Sequence, residues 1–383
     1  MGLSILMNES CANCTEKGFL EVIEELSPRD TPCITSDGVK LDGEQFQRLL
    51  CNFCGCIFCK YQPENTISAH YLNKYDLSDE TQNNFIVPDN NLIRKKDYIE
   101  EYLISSLESA QLMPETALEI ACGNGQLLEN LVDRLPNIEL TGIDPNLDAI
   151  FANSKVNYIR DFFSPQLFTG KFFDLIIAHS FLNRSPTLKE IKNIRQIINE
   201  KGIFSVEVMV LENSFHAPKT WDHSFWFTSE IFEKWLHAAG FKILSTKDYK
   251  TTKHYICQAV GNLNTNFQAH EKQIRLTRNL YFSFKEFWDN LDREDFLNKY
   301  TYIFGAGMYA SLLINHLNLQ REFTYIIDEI KTGKHQGVPI VPLKFAENAP
   351  GRVLVFTRSS YTLSIAKKLE SASLDYDIVT LND

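Results

Sequence analysis

Thr116-Ala-Leu-Glu119-Ile-Ala-Cys-Gly123-Asn-Gly125-Gln126 decides how this chain is read, with Asp144 following nineteen residues after Gly125. The stretch reads as a short apolar strand, a glycine turn and a helix beginning near Gln126 (QLLENLVDRL). A second strand, Ile138-Glu-Leu-Thr-Gly-Ile143, ends on Asp144. In a parallel βαβ unit the glycines let a ligand approach the backbone, and an acid at the tip of the second strand is placed to bind a ribose diol. Ala121 stands where a dinucleotide fingerprint wants its first Gly, and Glu119 precedes the turn. An ordinary glycine turn is the competing reading, and the spacing to Asp144 argues against it.

Outward from this turn, strands and helices alternate. Strands are expected at 116–121, 138–143, 156–160, 173–178 and 203–211, with a later pair near 242–248 and 254–260. Helices are expected near 126–134, 146–153, 187–199 and 229–239, and an amphipathic helix over 97–112 leads in. Such alternation predicts a mostly parallel sheet with helices on both faces, binding ligands at the carboxyl ends of its strands. Asp144 and Asp161 fall at such ends, whereas Asp174 falls at the start of strand four and reads as structural. Asp161 with Phe162 suits an adenine edge, a carboxylate for the exocyclic amine beside an amide for a ring nitrogen.

Upstream, Cys11-Ala-Asn-Cys14 and Cys51-Asn-Phe-Cys54-Gly55 are two Cys-x-x-Cys knuckles separated by thirty-six residues. Such a pair can close a tetrahedral thiolate site, and a Gly after the second knuckle eases the turn that aims amides at sulfur. Cys11, Cys14, Cys51 and Cys54 are the expected zinc ligands, with Cys56 and Cys59 as possible substitutes and Cys33 a spare. Four cysteines leave no open position, so the site reads as structural. Unmetallated cysteines in a small core are the alternative. The connector at 61–96 is polar, and its Tyr61, Tyr71 and Tyr75 could reach over a substrate or simply pack.

The totals narrow the class. A chain of 383 residues expects two or three domains, and 44% hydrophobic with 23% charged residues is a globular composition. Net charge is -11 and the pI about 5.4, with no basic stripe of the kind nucleic acid selects. The start lacks the basic and apolar regions of a secretory signal, and no apolar run reaches the ~18 residues of a membrane span. Nine cysteines without a signal point to metal more than disulfides, so a cytoplasmic protein is expected, a monomer or homodimer with neither membrane nor nucleic-acid partner.

Two later stretches remain. The loop LENSFHAPKTWDHSFWFTS holds His216, Trp221, Asp222 and His223 before Phe225, Trp226 and Phe227. Asp222-His223 beside aromatics reads either as a base on an apolar platform or as a packed lid. After a helical stretch at 263–300, Tyr302-Ile-Phe-Gly305-Ala-Gly307-Met-Tyr-Ala310 repeats the strand–turn–helix syntax, with Asp328 twenty-one residues after Gly307. This turn is a dinucleotide candidate, a structural turn or the lining of a substrate cleft.

The acid-x-x-x-Gly-x-Gly pattern at Glu119, Gly123 and Gly125 resembles the S-adenosylmethionine (SAM) loop of class I methyltransferases. SAM carries a sulfonium and an amino acid, so it asks for carboxylates more than for a cradle of amides. The order of modules is similar to that of the sugar C-methyltransferases of deoxysugar biosynthesis. The carriers are Cys11/Cys14 with Cys51/Cys54-Gly55, the Glu119–Gly125 loop, Asp161-Phe162-Phe163, and Gly305-Ala306-Gly307 with Asp328 and the Gly337-Val-Pro-Ile turn. The resemblance implies an α/β chain with a zinc-binding domain and connector at 1–75, a Rossmann-like class I SAM domain at 76–262 and a smaller Rossmann-like domain at 263–383. It implies cofactor contacts at Glu119, Gly123, Gly125, Asp144, Asp161, Phe162 and His179; the last ends strand four where the sulfonium would lie, and a satisfied turn histidine is the competing reading there. The family's Tyr-His-Glu-His-x-x-Tyr-Phe signature resembles Thr220-Trp221-Asp222-His223-Ser-Phe-Trp226-Phe227. His223 would then take a proton alpha to the ketone of a nucleotide-linked 4-keto sugar, Asp222 would assist, and the enolate would attack the methyl in line. O- or N-methylation of another small molecule is the alternative, and a non-catalytic zinc-ribbon module with a degenerate SAM pocket is a third.

Overall fold

The computed structural model describes residues 5–6, 8–26, 33–35, 40–41, 45–62, 66–73, 85–86, 93–135, 137–147, 155–220, 223–249, 252–261, 267–320, 325–329, 331–349 and 351–381. Two compact units emerge. One comprises 1–25, 47–210 and 224–277, and the other 26–46, 211–223 and 278–383.

The first unit is built on a seven-stranded sheet: β1 Thr116–Ile120, β2 Glu139–Ile143, β3 Val156–Ile159, β4 Phe173–His179, β5 Ile198–Met209, β6 Phe241–Tyr249 and β7 Thr252–Ala259. Their order is β3-β2-β1-β4-β5-β7-β6, parallel except for β7, which runs antiparallel to β5 and β6. The order reverses between β1 and β4, so the crevice at their carboxyl ends is where a doubly wound sheet takes its ligand. β1 is buried on both faces because helices cover both. On one side Ala117, Leu175, Ile177 and Ile203 pack with Leu103 and Leu107 of helix α1 (Lys95–Ser109) and Leu128 and Leu131 of α2 (Gln126–Arg134). On the other, Leu118, Ile176 and Phe204 join Ile191 of α3 (Thr187–Arg195) and Phe232 and Trp235 of α4 (Ser229–Ala238).

α2 begins at Gln126, as the sequence pattern expects, and every central strand forms within a few residues of its expected span. The exceptions have physical causes. β5 starts five residues earlier than the apolar run, because Ile198 already pairs with Phe173 before a register shift. The helix expected at 146–153 lies largely outside the described residues. Asp174 accepts hydrogen bonds from the amides of Glu115 and Thr116 at 3.0 and 3.2 Å and from Asn199 Nδ2 at 2.7 Å, tying three strand starts together at the end away from the crevice.

The cysteine-rich segment belongs to this same unit. Its five-stranded sheet ends in Phe225–Trp226, whose residues pair with Phe58 and Ile57. The aromatic run is therefore a buried edge strand. Among the described residues no helix is long and apolar enough to cross a membrane.

The second unit carries β8 Tyr302–Phe304, β9 Tyr325–Ile327, β10 Lys334–His335, β11 Val338–Val341, β12 Val353–Arg358 and β13 Tyr376–Leu381, in the order β10-β11-β9-β8-β12-β13. The loop at 211–223 folds into this unit: Phe215 stacks on Trp288 and Phe356, and its carbonyl accepts Trp288 Nε1–H at 2.9 Å.

Candidate active site

The glycine turn after β1 is held open by a carboxylate. Asp144, one residue past β2, accepts the Gly123 amide on Oδ2 at 3.0 Å and the Asn146 amide on Oδ1 at 2.8 Å. Each oxygen keeps acceptor capacity, because a carboxylate offers about four lone-pair sites. Ala121, Gly123 and Gly125 all adopt positive φ (56°, 57° and 72°), so every second residue of the turn is left-handed. Gly125 is glycine for a second reason: a Cβ there would stand 2.2 Å from the hydroxyl of Tyr158 on β3. That hydroxyl donates to Glu129 Oε1 at 3.0 Å.

Glu119 faces this turn from β1. It is 6% exposed, and its Oε2 is buried with no hydrogen-bond partner among the described residues. Burial, and then the charge of Asp144, push its carboxyl well above the usual range. Asp144 is also raised by burial, which the amides of Asn146 and Gly123 and the charge of Arg184 oppose. Two buried acids side by side are costly without a cation or hydrogen-bond donor between them. This donor set fits SAM: an acceptor lacking a donor suits an ammonium, and the Asp144 clamp suits ribose hydroxyls.

The other expected contacts are spread along the same strand ends. Asp161 and Phe162 are exposed after β3, and the Phe162 amide donates to Asp161 Oδ1 at 2.7 Å. The amide and the carboxylate expected to share an adenine edge are therefore bonded to each other. His179 ends β4 with Nε2 3.1 Å from Ser205 Oγ. His223 is buried in the second unit, while Trp221 and Asp222 lie outside the described residues. Of the connector tyrosines only the side chain of Tyr71 is described, and the Arg184 guanidinium lies 5.4 Å above its ring. In the second unit Asp328 repeats the Asp144 clamp, taking the Ala306 amide at 2.8 Å and the Lys331 amide at 2.9 Å.

The four knuckle cysteines converge, their sulfurs all within 4.8 Å of one another. Cys11–Cys54 and Cys14–Cys51 are 3.9 and 3.8 Å apart. A tetrahedral ion bonded at about 2.3 Å demands ~3.8 Å between sulfurs, so the donor set fits zinc. The Asn13 amide points at Cys11 Sγ (3.4 Å) and its side chain at Cys54 Sγ (3.6 Å), while Asn13 Oδ1 accepts the Leu188 amide of α3 at 2.8 Å. Hydrogen bonds from Cys11, Cys14 and Cys54 hold Cys51 far below the ordinary thiol range. Cys56 is buried outside the set, its thiol aimed at the Ile57 carbonyl, and of Cys33 only the backbone is described.

Residues 94–246 match the family model described as "Methyltransferase domain". A search of curated proteins finds no match. Among solved structures the chain is similar to an O-methyltransferase family protein from Burkholderia thailandensis, at 13% identity over 44% of this chain and 60% of that one, with a TM-score of 0.34. It is similar to the plantazolicin methyltransferase BpumL in complex with a pentazolic desmethylPZN analog and SAH, at 18% identity over 43% and 84% with a TM-score of 0.36. An S-adenosylmethionine-dependent methyltransferase from Clostridium acetobutylicum ATCC 824 gives 14% over 44% and 93%, also with a TM-score of 0.36. The family match and the strand order together define the central sheet as a class I, Rossmann-like methyltransferase fold. The segment that forms it, residues 94–246, is a methyltransferase domain.

Two residues escaped the sequence reading of the site, Ser205 and His254. For Ser205 the signal is present: Ser205 and Glu207 share one face of the otherwise apolar run Ile203-Phe-Ser-Val-Glu-Val. A strand buried on both faces has no solvent-facing reason to carry either.

Proposed function

We propose that this enzyme C-methylates a nucleotide-linked keto sugar, with SAM bound at Glu119, Gly123, Gly125 and Asp144 and zinc held structurally by Cys11, Cys14, Cys51 and Cys54. The observation that carries the cofactor site is the buried Glu119 oxygen, which has no hydrogen-bond partner among the described residues, beside the Gly123–Asp144 clamp. Bound there, SAM supplies a methyl already activated by its sulfonium. The chain's own task is then alignment and local proton removal. Asp161, Phe162 and His179 complete the cofactor contacts, His223 is the base and Asp222 orients it. The cytoplasm is the proposed compartment, with the chain a monomer or homodimer.

O- or N-methylation of another small molecule is the second reading. It is favoured by Thr220 and Trp221, which replace the tyrosine and first histidine of the sugar C-methyltransferase signature. Incubating the protein with labelled SAM and a panel of nucleotide 4-keto sugars, and reading mass shifts, separates the two. A methyl on carbon that disappears in His223→Ala, with SAM affinity retained, is the expected result. Label on oxygen or nitrogen, or no label on any sugar, would overturn the C-methyl assignment.

A further inference from the structure

On β5, Ser205 is 0% and Glu207 1% exposed, and successive residues of a strand face opposite sides, so the two share one face. The residues paired with Glu207 are His179 on β4 and His254 on β7. Between the two imidazoles stands one hydroxyl: Ser205 Oγ is 3.1 Å from His179 Nε2 and 2.8 Å from His254 Nε2. The rings meet edge to face with centroids 4.8 Å apart. His254 is fully buried and His179 partly exposed. Two residues before His179 on the same face, Ile177 is the register partner of Glu119, so the row starts one pleat beyond the cofactor carboxylate.

We propose that His179, Ser205 and His254 form a proton relay that serves the O- or N-methylation reading: His179 takes the proton released by the acceptor's oxygen or nitrogen, and the buried His254 stores it. The proposal rests on the methyltransferase reading and adds to it a route for the proton inside the central sheet. A serine hydroxyl has one hydrogen and two lone pairs, so between two ring nitrogens it can accept from one histidine while donating to the other. With His179 donating from Nε2 and Ser205 donating to His254 Nε2, the lone pair of His179 is on Nδ1. The acceptor's proton goes to Nδ1, the Nε2 proton passes to Ser205 Oγ, and the serine's own hydrogen passes to His254 Nε2. His179 ends neutral, His254 ends as imidazolium, and the electron pair of the broken bond stays on the acceptor for its new bond to carbon.

The surroundings of His254 suit a transient cation. Glu207 faces it from β5. Tyr102 of α1 meets its ring edge-on at 5.0 Å, and the Tyr102 hydroxyl is fixed 2.7 Å from Ser245 Oγ. Lys247 of β6, the register partner of His254, opposes the charge, and it lies over the rings of Tyr98 (4.4 Å) and Tyr102 (5.6 Å). Glu119 is the nearest acid along the same face on β1.

The test uses the zinc-loaded, full-length chain with ¹⁵N-labelled histidine, followed by proton–nitrogen correlation spectra from pH 5 to 9, with SAH as the only ligand. His179 is expected as the Nε2–H tautomer, and His179 and His254 are expected to titrate as one coupled pair with two apparent pKa values. Ser205→Ala should uncouple them and Ser205→Thr should restore the coupling, while SAH affinity stays within about twofold of wild type in both. Independent titration in the wild-type protein, or coupling that survives Ser205→Ala, would overturn the relay. If SAH fails to bind the wild-type protein, the methyltransferase reading falls and the relay with it. SAH binding beside uncoupled histidines overturns the relay alone.

Discussion

Gly125→Ala is expected to unseat Tyr158 and loosen the turn that carries the cofactor site. The added methyl would stand 2.2 Å from the Tyr158 hydroxyl and 2.7 and 2.8 Å from two ring carbons, so the ring must move. Moving it gives up the hydroxyl's bond to the Glu129 carboxylate, worth about 1.5–3 kcal/mol. The φ of 72° adds about 1 kcal/mol for any residue with a Cβ. The single substitution should therefore cost about 2.5–4 kcal/mol. Tyr158→Ala removes the obstacle, so in the double variant only the backbone share of the Gly125→Ala cost remains. The cycle should show a favourable coupling of about 2 kcal/mol between the two changes. Hydrogen exchange over residues 116–134 is the assay, because a chain of two compact units gives no single unfolding free energy. Additivity within ~0.5 kcal/mol would refute the close approach of Tyr158 to Gly125.

Two further outcomes follow from the buried acids and the thiolates. The folded pKa of Glu119 is raised by burial and by Asp144, so its contribution to stability is whole below its unfolded value near ~4.3 and declines as pH rises toward the folded value. Glu119→Gln should thus melt higher than wild type at pH 8 without ligand, match it near pH 4, and bind SAM more weakly; equal melting at pH 8 would contradict the buried charge. Elemental analysis should find one zinc per wild-type chain, none in Cys51→Ser and one in Cys56→Ser. Zinc retained by Cys51→Ser would overturn the ligand set.

Much of the central unit was legible because its signals are local. The span of α2 follows from an amphipathic run behind a glycine turn, and the strands of the sheet from apolar runs of the right length. The clamp on the turn was half legible. Spacing placed Asp144 at the strand tip, but its bond to the Gly123 amide is a long-range contact that no period encodes. The sequence offers Gly125 as a place for ligand approach, and a tyrosine from β3 uses the same freedom. The loop at 211–223 misleads in sequence because it follows β5 directly, yet Phe215 anchors it in the aromatic core of the second unit. His254 escaped because its meaning comes from register: only the antiparallel pairing of β5 and β7 brings it to Glu207 and Ser205.

Titration calorimetry with SAH bears most directly on the claim that Asp144 and the left-handed turn hold the methyl donor. The wild-type protein should bind one SAH per chain, and Asp144→Ala, which deletes both amide contacts of the clamp, should weaken binding at least about tenfold, or ~1.4 kcal/mol. Equal affinity in the two proteins would contradict the account.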